Sequence, residues 1–234
     1  MKHYRLNKVM YNSIDKVIPL LKEKGFIIND PWDVVDAFET LVADYAGSKF
    51  AISCDSCTNA MFMCLKYLNA SGTITIPKNT YLSVPGLIIH SGCNVNFKKI
   101  DWSGVYQLKP YSIIDGATRF RKNMYEKGSF HCLSFHLRKI LPIGKGGMIL
   151  TDDKEAADWF KLARYEGRNN RLPHKNIKDI EIIGWNFYMP PEQASRGILL
   201  LEESNDENPD SGGSWSYADI SGYSAWNGKV LKNN

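Results

Sequence analysis

The chain has 234 residues, 44% hydrophobic and 23% charged, with 29 basic against 25 acidic side chains and a formal net charge of +4. That apolar content, which includes six Trp, twelve Tyr and ten Phe, excludes a disordered chain, and the mild basic excess is too dispersed for a nucleic-acid footprint. No run approaches the roughly 20 apolar residues that span a bilayer, so no membrane association is expected. The basic N-terminal stretch lacks the apolar centre of a secretory signal. Five widely spread cysteines read as reduced thiols of a cytoplasmic protein rather than as a disulfide framework. Length favours one domain, or one large domain with a short appendage.

In chain order, Asn12 and Ser13 can cap a helix carrying Ile14, Val17, Ile18, Leu20 and Leu21 and closing at Gly25. Pro19 inside it predicts a kink or a late start. The next helix is better marked, with Asp30 as cap, Pro31 in the first turn and Gly47 at the exit. Val34, Val35, Phe38, Leu41, Val42 and Tyr45 recur between them at helical spacing. Strands are predicted over 50–53, 73–76, 94–100, 111–114, 130–135 and 147–151. Helices are predicted over 58–68 and about 81–90, from Asp153 to Gly167, and from Pro190-Pro191 through Ile198, Leu199 and Leu201. Strands alternating with helices argue for an α/β fold, a mainly parallel central sheet covered by helices on both faces. Residues 1–203 would form that body. Residues 204–213 have acidic, polar linker chemistry, and 214–234 form a tail with Trp215, Tyr217, Tyr223 and Trp226.

Three segments carry chemistry. Ile52 to Ala60 runs from a buried strand through small and hydroxyl residues into a helix, whose amides and dipole favour an anionic group. An ordinary helix cap uses the same residues. Cys54 and Cys57 lie in that junction without the further ligands a zinc site needs, so no metal is expected. Ser112 to Ala117 places Asp115 at the end of an apolar strand, where open α/β sheets bind ligands; a carboxylate capping the next turn reads equally well. Leu133 to Lys139 leads into Gly144-Lys145-Gly146-Gly147, which is no P-loop, because Lys145 is followed by glycine. His136 and Lys139, each taken alone, read as structural or solvated.

Order and combination are more specific than any one segment. Ser56-Cys57-Thr58-Asn59-Ala60-Met61, Pro77 to Tyr81, Ile114-Asp115-Gly116-Ala117, Ser134-Phe135-His136-Leu137-Arg138-Lys139 and Gly184 to Gly197 follow one another as in a known family. The chain resembles the DegT/DnrJ/EryC1/StrS sugar aminotransferases from about residue 10 to 203. That resemblance implies the large domain of type I pyridoxal 5′-phosphate (PLP)-dependent transferases, with Lys139 as the lysine that holds the cofactor's aldehyde and moves the proton. Asp115 would sit beside the ring nitrogen, and Cys57, Thr58 and Ser134 at the phosphate. Tyr81 would lie on the ring face, with Ala117 and Thr118 beside the cofactor. Asn186 would reach the phosphate of a neighbouring subunit in a homodimer. The implied reaction moves an amino group, with glutamate as the expected donor, to a keto sugar carried on a nucleotide. Related dehydratases have histidine where Lys139 stands, so transamination is expected over dehydration.

Departures from the pattern are Cys57 for glycine, Lys145 for an acid, Tyr188 for arginine and Pro191 for glutamate. The family's C-terminal small domain has no counterpart in these 234 residues. A cofactor- or nucleotide-sugar-binding subunit without its own turnover is therefore the alternative.

Overall fold

The computed structural model describes residues 11–226. The expected regions that reach residues 1–10 and 227–234 extend outside it. Helix α1 (Tyr11–Glu23) runs through Pro19 instead of starting after it, because Val17 and Leu21 on either side are fully buried and packing outweighs the weak local signal. Helix α2 (Pro31–Ala46) begins and ends as its caps dictate. Asp30 accepts from the Trp32 amide at 2.7 Å, Asp33 accepts from the Asp30 amide at 2.9 Å, and Gly47 turns out at φ 82°.

Strand β1 (Phe50–Cys54) leads into α3 (Cys57–Tyr67), β2 (Thr73–Pro77), α4 (Ser83–His90) and β3 (Asn94–Lys98). Then come β4 (Tyr106–Gln107), β5 (Ile113–Asp115), β6 (Phe130–Ser134), β7 (Gly147–Thr151), α5 (Lys154–Ala163) and α6 (Pro191–Glu202). The main sheet has the order β1-β7-β6-β5-β4, and β2 pairs with β3 beside it. An antiparallel bridge between Thr75 and Lys109 joins the two sheets. Strands β1, β2, β3, β5 and β6 point one way. β7 lies antiparallel between β1 and β6, and β4 antiparallel on β5. The shared direction is the expected parallel character. The two reversed strands are the departure, since β4 leads into β5, and β6 into β7, without a crossover helix.

Side chains alternate across the sheet, as the pleat requires. Ala51, Leu133, Met148 and Leu150 pack on one face with α1, α2 and α6. Ile52, Cys132 and Ile149 pack on the other with α3, α4 and α5. Phe38, Phe135 and Phe160 are the largest fully buried side chains, each contributing roughly 2–3 kcal/mol through removal from water. Among the described residues no helix is long and apolar enough to cross a membrane.

After α6 the chain doubles back over the body. Asp206 accepts from the Lys122 amide at 2.8 Å, and Asp210 forms a bidentate pair with Arg119 at 2.7 and 2.8 Å. The Ser211 amide donates to Thr118, and the Ile220 amide to Lys78. The segment with linker composition is therefore held along its length, and it delivers the aromatic residues to the β2 and β4 edge.

Candidate active site

The carboxyl ends of β1, β5 and β6 meet at one place. At the β1–α3 junction Ser56 caps α3 by accepting from the Asn59 amide at 3.2 Å. The amides of Cys57 and Thr58 remain as first-turn donors that the helix cannot satisfy itself. The junction lies directly on β7: a Cβ at Gly147 would come within 2.2 Å of the Ser56 carbonyl carbon. Lys145, which departs from the family's acid, lies 3.4 Å from the Asp55 carboxylate at the same cap. The Thr58 hydroxyl is 2.7 Å from that of Ser83 and links α3 to α4.

Asp115 ends β5 and is 5% exposed. Every hydrogen bond it receives comes from a neutral donor. The Tyr106 hydroxyl donates to Oδ2 at 2.6 Å, the Ala117 amide to Oδ1 at 2.9 Å, and the Cys57 thiol lies 3.9 Å from Oδ1. Burial raises the carboxyl above its ordinary range, and these donors, with the charge of Lys139, pull it back. The Cys57 thiol is pushed well up by burial and then by Asp115, again opposed by Lys139. Asp115, Cys57 and Lys139 thus share one electrostatic neighbourhood, supplied by three separate stretches of chain.

Ser134 closes β6, half-buried. The turn that follows is pinned by Phe135, which donates to Gly146, and by Gly144, which donates to Phe135. Within it the Lys139 amide bonds His136 at 2.9 Å, and the Lys139 side chain is half-buried. Among the described residues Lys139 enters no ion pair. Tyr81 stands at the mouth, 59% exposed, and Ala117 is half-buried beside Asp115.

Thr118 and Asn186 have polar partners of their own within the chain. Thr118 is 3% exposed, and its hydroxyl donates to the carbonyls of Gly104 and Gly212, both at 3.0 Å. It anchors the returning C-terminal segment. Asn186 is exposed, and its amide donates to Glu166 at 2.8 Å; within this chain it does not meet Asp115 or Lys139. Tyr106 and Thr80 are residues that sequence reasoning missed. Their hydroxyls are 2.6 Å apart, with Tyr106 placed opposite Asp115 by the β4–β5 register. Only the pairing of β4 could have shown it, and two residues carry no readable period.

Comparison with known proteins now decides the family. The model of the DegT/DnrJ/EryC1/StrS aminotransferase family matches residues 12–124 and 112–209. The chain belongs to this family. The spore coat polysaccharide biosynthesis protein SpsC of Bacillus subtilis is 26% identical over 87% of the chain and 64% of its own length. Among solved structures, the sugar aminotransferase CalS13 from Micromonospora echinospora has a TM-score of 0.64 at 15% identity, covering 84% of this chain and 66% of that one. The E. coli GDP-4-keto-6-deoxy-D-mannose-3-dehydratase with bound hydrated PLP has a TM-score of 0.62 at 16% identity, covering 86% and 66%. These likenesses show a type I PLP-dependent transferase fold. The chain spans about 56–64% of the length of the curated relatives it matches.

Proposed function

We propose that the chain is a PLP-dependent aminotransferase that transfers an amino group, with glutamate as donor, to a keto sugar nucleotide. The observation that carries this reading is the pairing of a buried carboxylate, held by neutral donors alone, with the amine of Lys139 in the same electrostatic neighbourhood. The donor set fits the cofactor, since it offers an amine for the aldehyde, an anion for the ring nitrogen and first-turn amides for the phosphate. When bound, the cofactor supplies an aldehyde and a ring that stores the electron pair of a broken C–H bond.

The chain's own residues do the rest. With the cofactor bound, Lys139 Nζ would hold its aldehyde and would be the amine placed to take and return a proton. Asp115 would place negative charge against the ring nitrogen, and Tyr106 and Ala117 fix its two oxygens in place. A cation arriving beside this carboxyl favours its ionised form, opposing the effect of burial. The amides of Cys57 and Thr58 and the Ser134 hydroxyl would receive the phosphate, and Tyr81 would cover a ring face. Asn186, exposed on its own chain, would reach a second subunit in a homodimer.

The test is direct. Purified chain mixed with PLP should develop a near-visible absorption band, and borohydride reduction should leave a pyridoxyl group on the Lys139 peptide by mass spectrometry. Lys139→Ala should remove both. Absence of band and adduct in the native chain overturns the reading. A band without conversion of glutamate to 2-oxoglutarate in the presence of a keto sugar nucleotide would instead make the chain a binding subunit.

A further inference from the structure

The returning C-terminal segment places one aromatic residue where none of the sequence motifs points. Tyr217 is half-buried, stacked on Trp102 with ring centroids 5.7 Å apart and planes 24° apart. Its edge meets Tyr81 at 6.5 Å. Trp102 in turn packs on Tyr106 at 4.8 Å, and Tyr106 is the residue that bonds Asp115. Asn79 ties the layers together, donating to the Tyr217 carbonyl at 3.0 Å while its own carbonyl accepts from the Trp102 indole at 3.0 Å. Past Tyr217, Lys78 pairs with Asp219 at 2.6 Å and the Ile220 amide donates to the Lys78 carbonyl at 3.0 Å. Before Tyr217, the Ser214 amide donates to the Trp102 carbonyl at 2.9 Å, so the backbone is pinned on both sides of the ring.

We propose that Tyr217 is a positioning residue of the candidate active site, a wall brought over Asp115 and Cys57 by the chain's own C-terminal segment. The inference rests on the reading of that site as a cofactor pocket. Two consequences follow from the packing. Tyr81 gains a fixed neighbour on its edge, which limits the ring positions open to an otherwise exposed side chain. The Trp102–Tyr106 pair gains a cover on its outer side, which holds the Tyr106 hydroxyl on Asp115. Burial pushes the Tyr217 phenol up to about 12, with Asp115 the next cause and Cys57 a further one. The ring therefore remains neutral near neutral pH.

Cysteine labelling tests the wall without cofactor, because all five cysteines are buried thiols and labelling reports local opening. The full chain, Tyr217→Phe, Tyr217→Ala and Asp219→Asn are treated with a small maleimide, and each site is followed by peptide mass spectrometry. PLP affinity of the same proteins is read from its absorption change. Tyr217→Ala should speed labelling of Cys57 about tenfold relative to Cys64 and Cys132, since opening is then local. It should weaken PLP binding by about tenfold, while Tyr217→Phe, which keeps the ring, stays near the native values for both. Asp219→Asn, which cuts only an exposed tie, should speed Cys57 labelling by about threefold and keep the proposal testable if Tyr217→Ala fails to fold. Unchanged Cys57 labelling, or equal acceleration at all five cysteines, overturns the proposal. Selective Cys57 labelling in a chain that never binds PLP upholds the wall and overturns the cofactor reading instead.

Discussion

Two carboxylates lie almost equally deep in this protein, and they are held in opposite ways. Glu39 on α2 is 4% exposed and meets the Arg164 guanidinium, the Ser53 amide at 2.9 Å and the Ser53 hydroxyl at 2.7 Å. Arg164 also bonds the Ser53 carbonyl at 2.6 Å, so the cluster ties α2, β1 and the end of α5 together. Asp115, at the far side of the same sheet, is 5% exposed and hydrogen-bonded only to neutral groups. The first carboxylate has a dedicated cation inside the fold and serves structure. The second keeps an unanswered demand for positive charge, with a lysine nearby, and that is what makes it a candidate for chemistry. Depth alone does not separate the two roles; the charge of the partner does.

The comparison would break first at Arg164. Arg164→Met leaves Glu39 buried with only the exposed Lys161 at 3.9 Å, which should cost about 3–5 kcal/mol in urea unfolding, while adding Glu39→Leu should restore most of the loss. If the single variant were as stable as the native chain, the structural reading of this cluster would fall.

His131 sharpens the contrast, because among the described side chains its Nε2 is buried with no partner at all. Burial, then Arg119, lowers it from 6.5 to about 4. The unfolded chain therefore binds a proton in this window that the folded chain refuses, and stability is lost as pH falls from 6.5 toward 4. The loss should be roughly 3 kcal/mol across that range, and His131→Leu should flatten the profile of urea midpoint against pH.

Asp115 gives the smallest effect and the opposite slope. Its raised carboxyl keeps a proton above 3.8 that the unfolded chain has released, so its contribution to stability declines as pH rises from 3.8 through the folded-state value. Asp115→Asn should cost about 1 kcal/mol or less at the acid end. It should then gain on the native chain as pH rises. A constant difference across the window would show that Asp115 ionises freely in the fold.

What the amino-acid order disclosed was local. Asp30, Pro31 and Gly47 marked α2 because caps and turns act within a few residues. The β1–α3 junction and the Ser134 to Lys139 run were legible for the same reason, and the order of the family's segments joined them into one site. The partners that give each group its character were not legible. Glu39 meets Arg164 from 125 positions away, and Tyr106 faces Asp115 only through an antiparallel register two residues long. Thr118 was read by its place beside Asp115, yet its hydroxyl is claimed by Gly212, which arrives from the other end of the chain. Pairing over such distances is decided by the assembled fold and leaves no period in the sequence.

The placement of Tyr217 also sets an order of events. Most elements that line the candidate site, from β1 to β7, precede residue 152, whereas the segment proposed to cover it follows residue 205. A chain made from its N-terminus exposes the body first. At ordinary rates of roughly 5–20 residues per second, several seconds separate completion of the β6 turn from the emergence of its cover. During synthesis the residues around Asp115 are therefore made before the segment that returns over them.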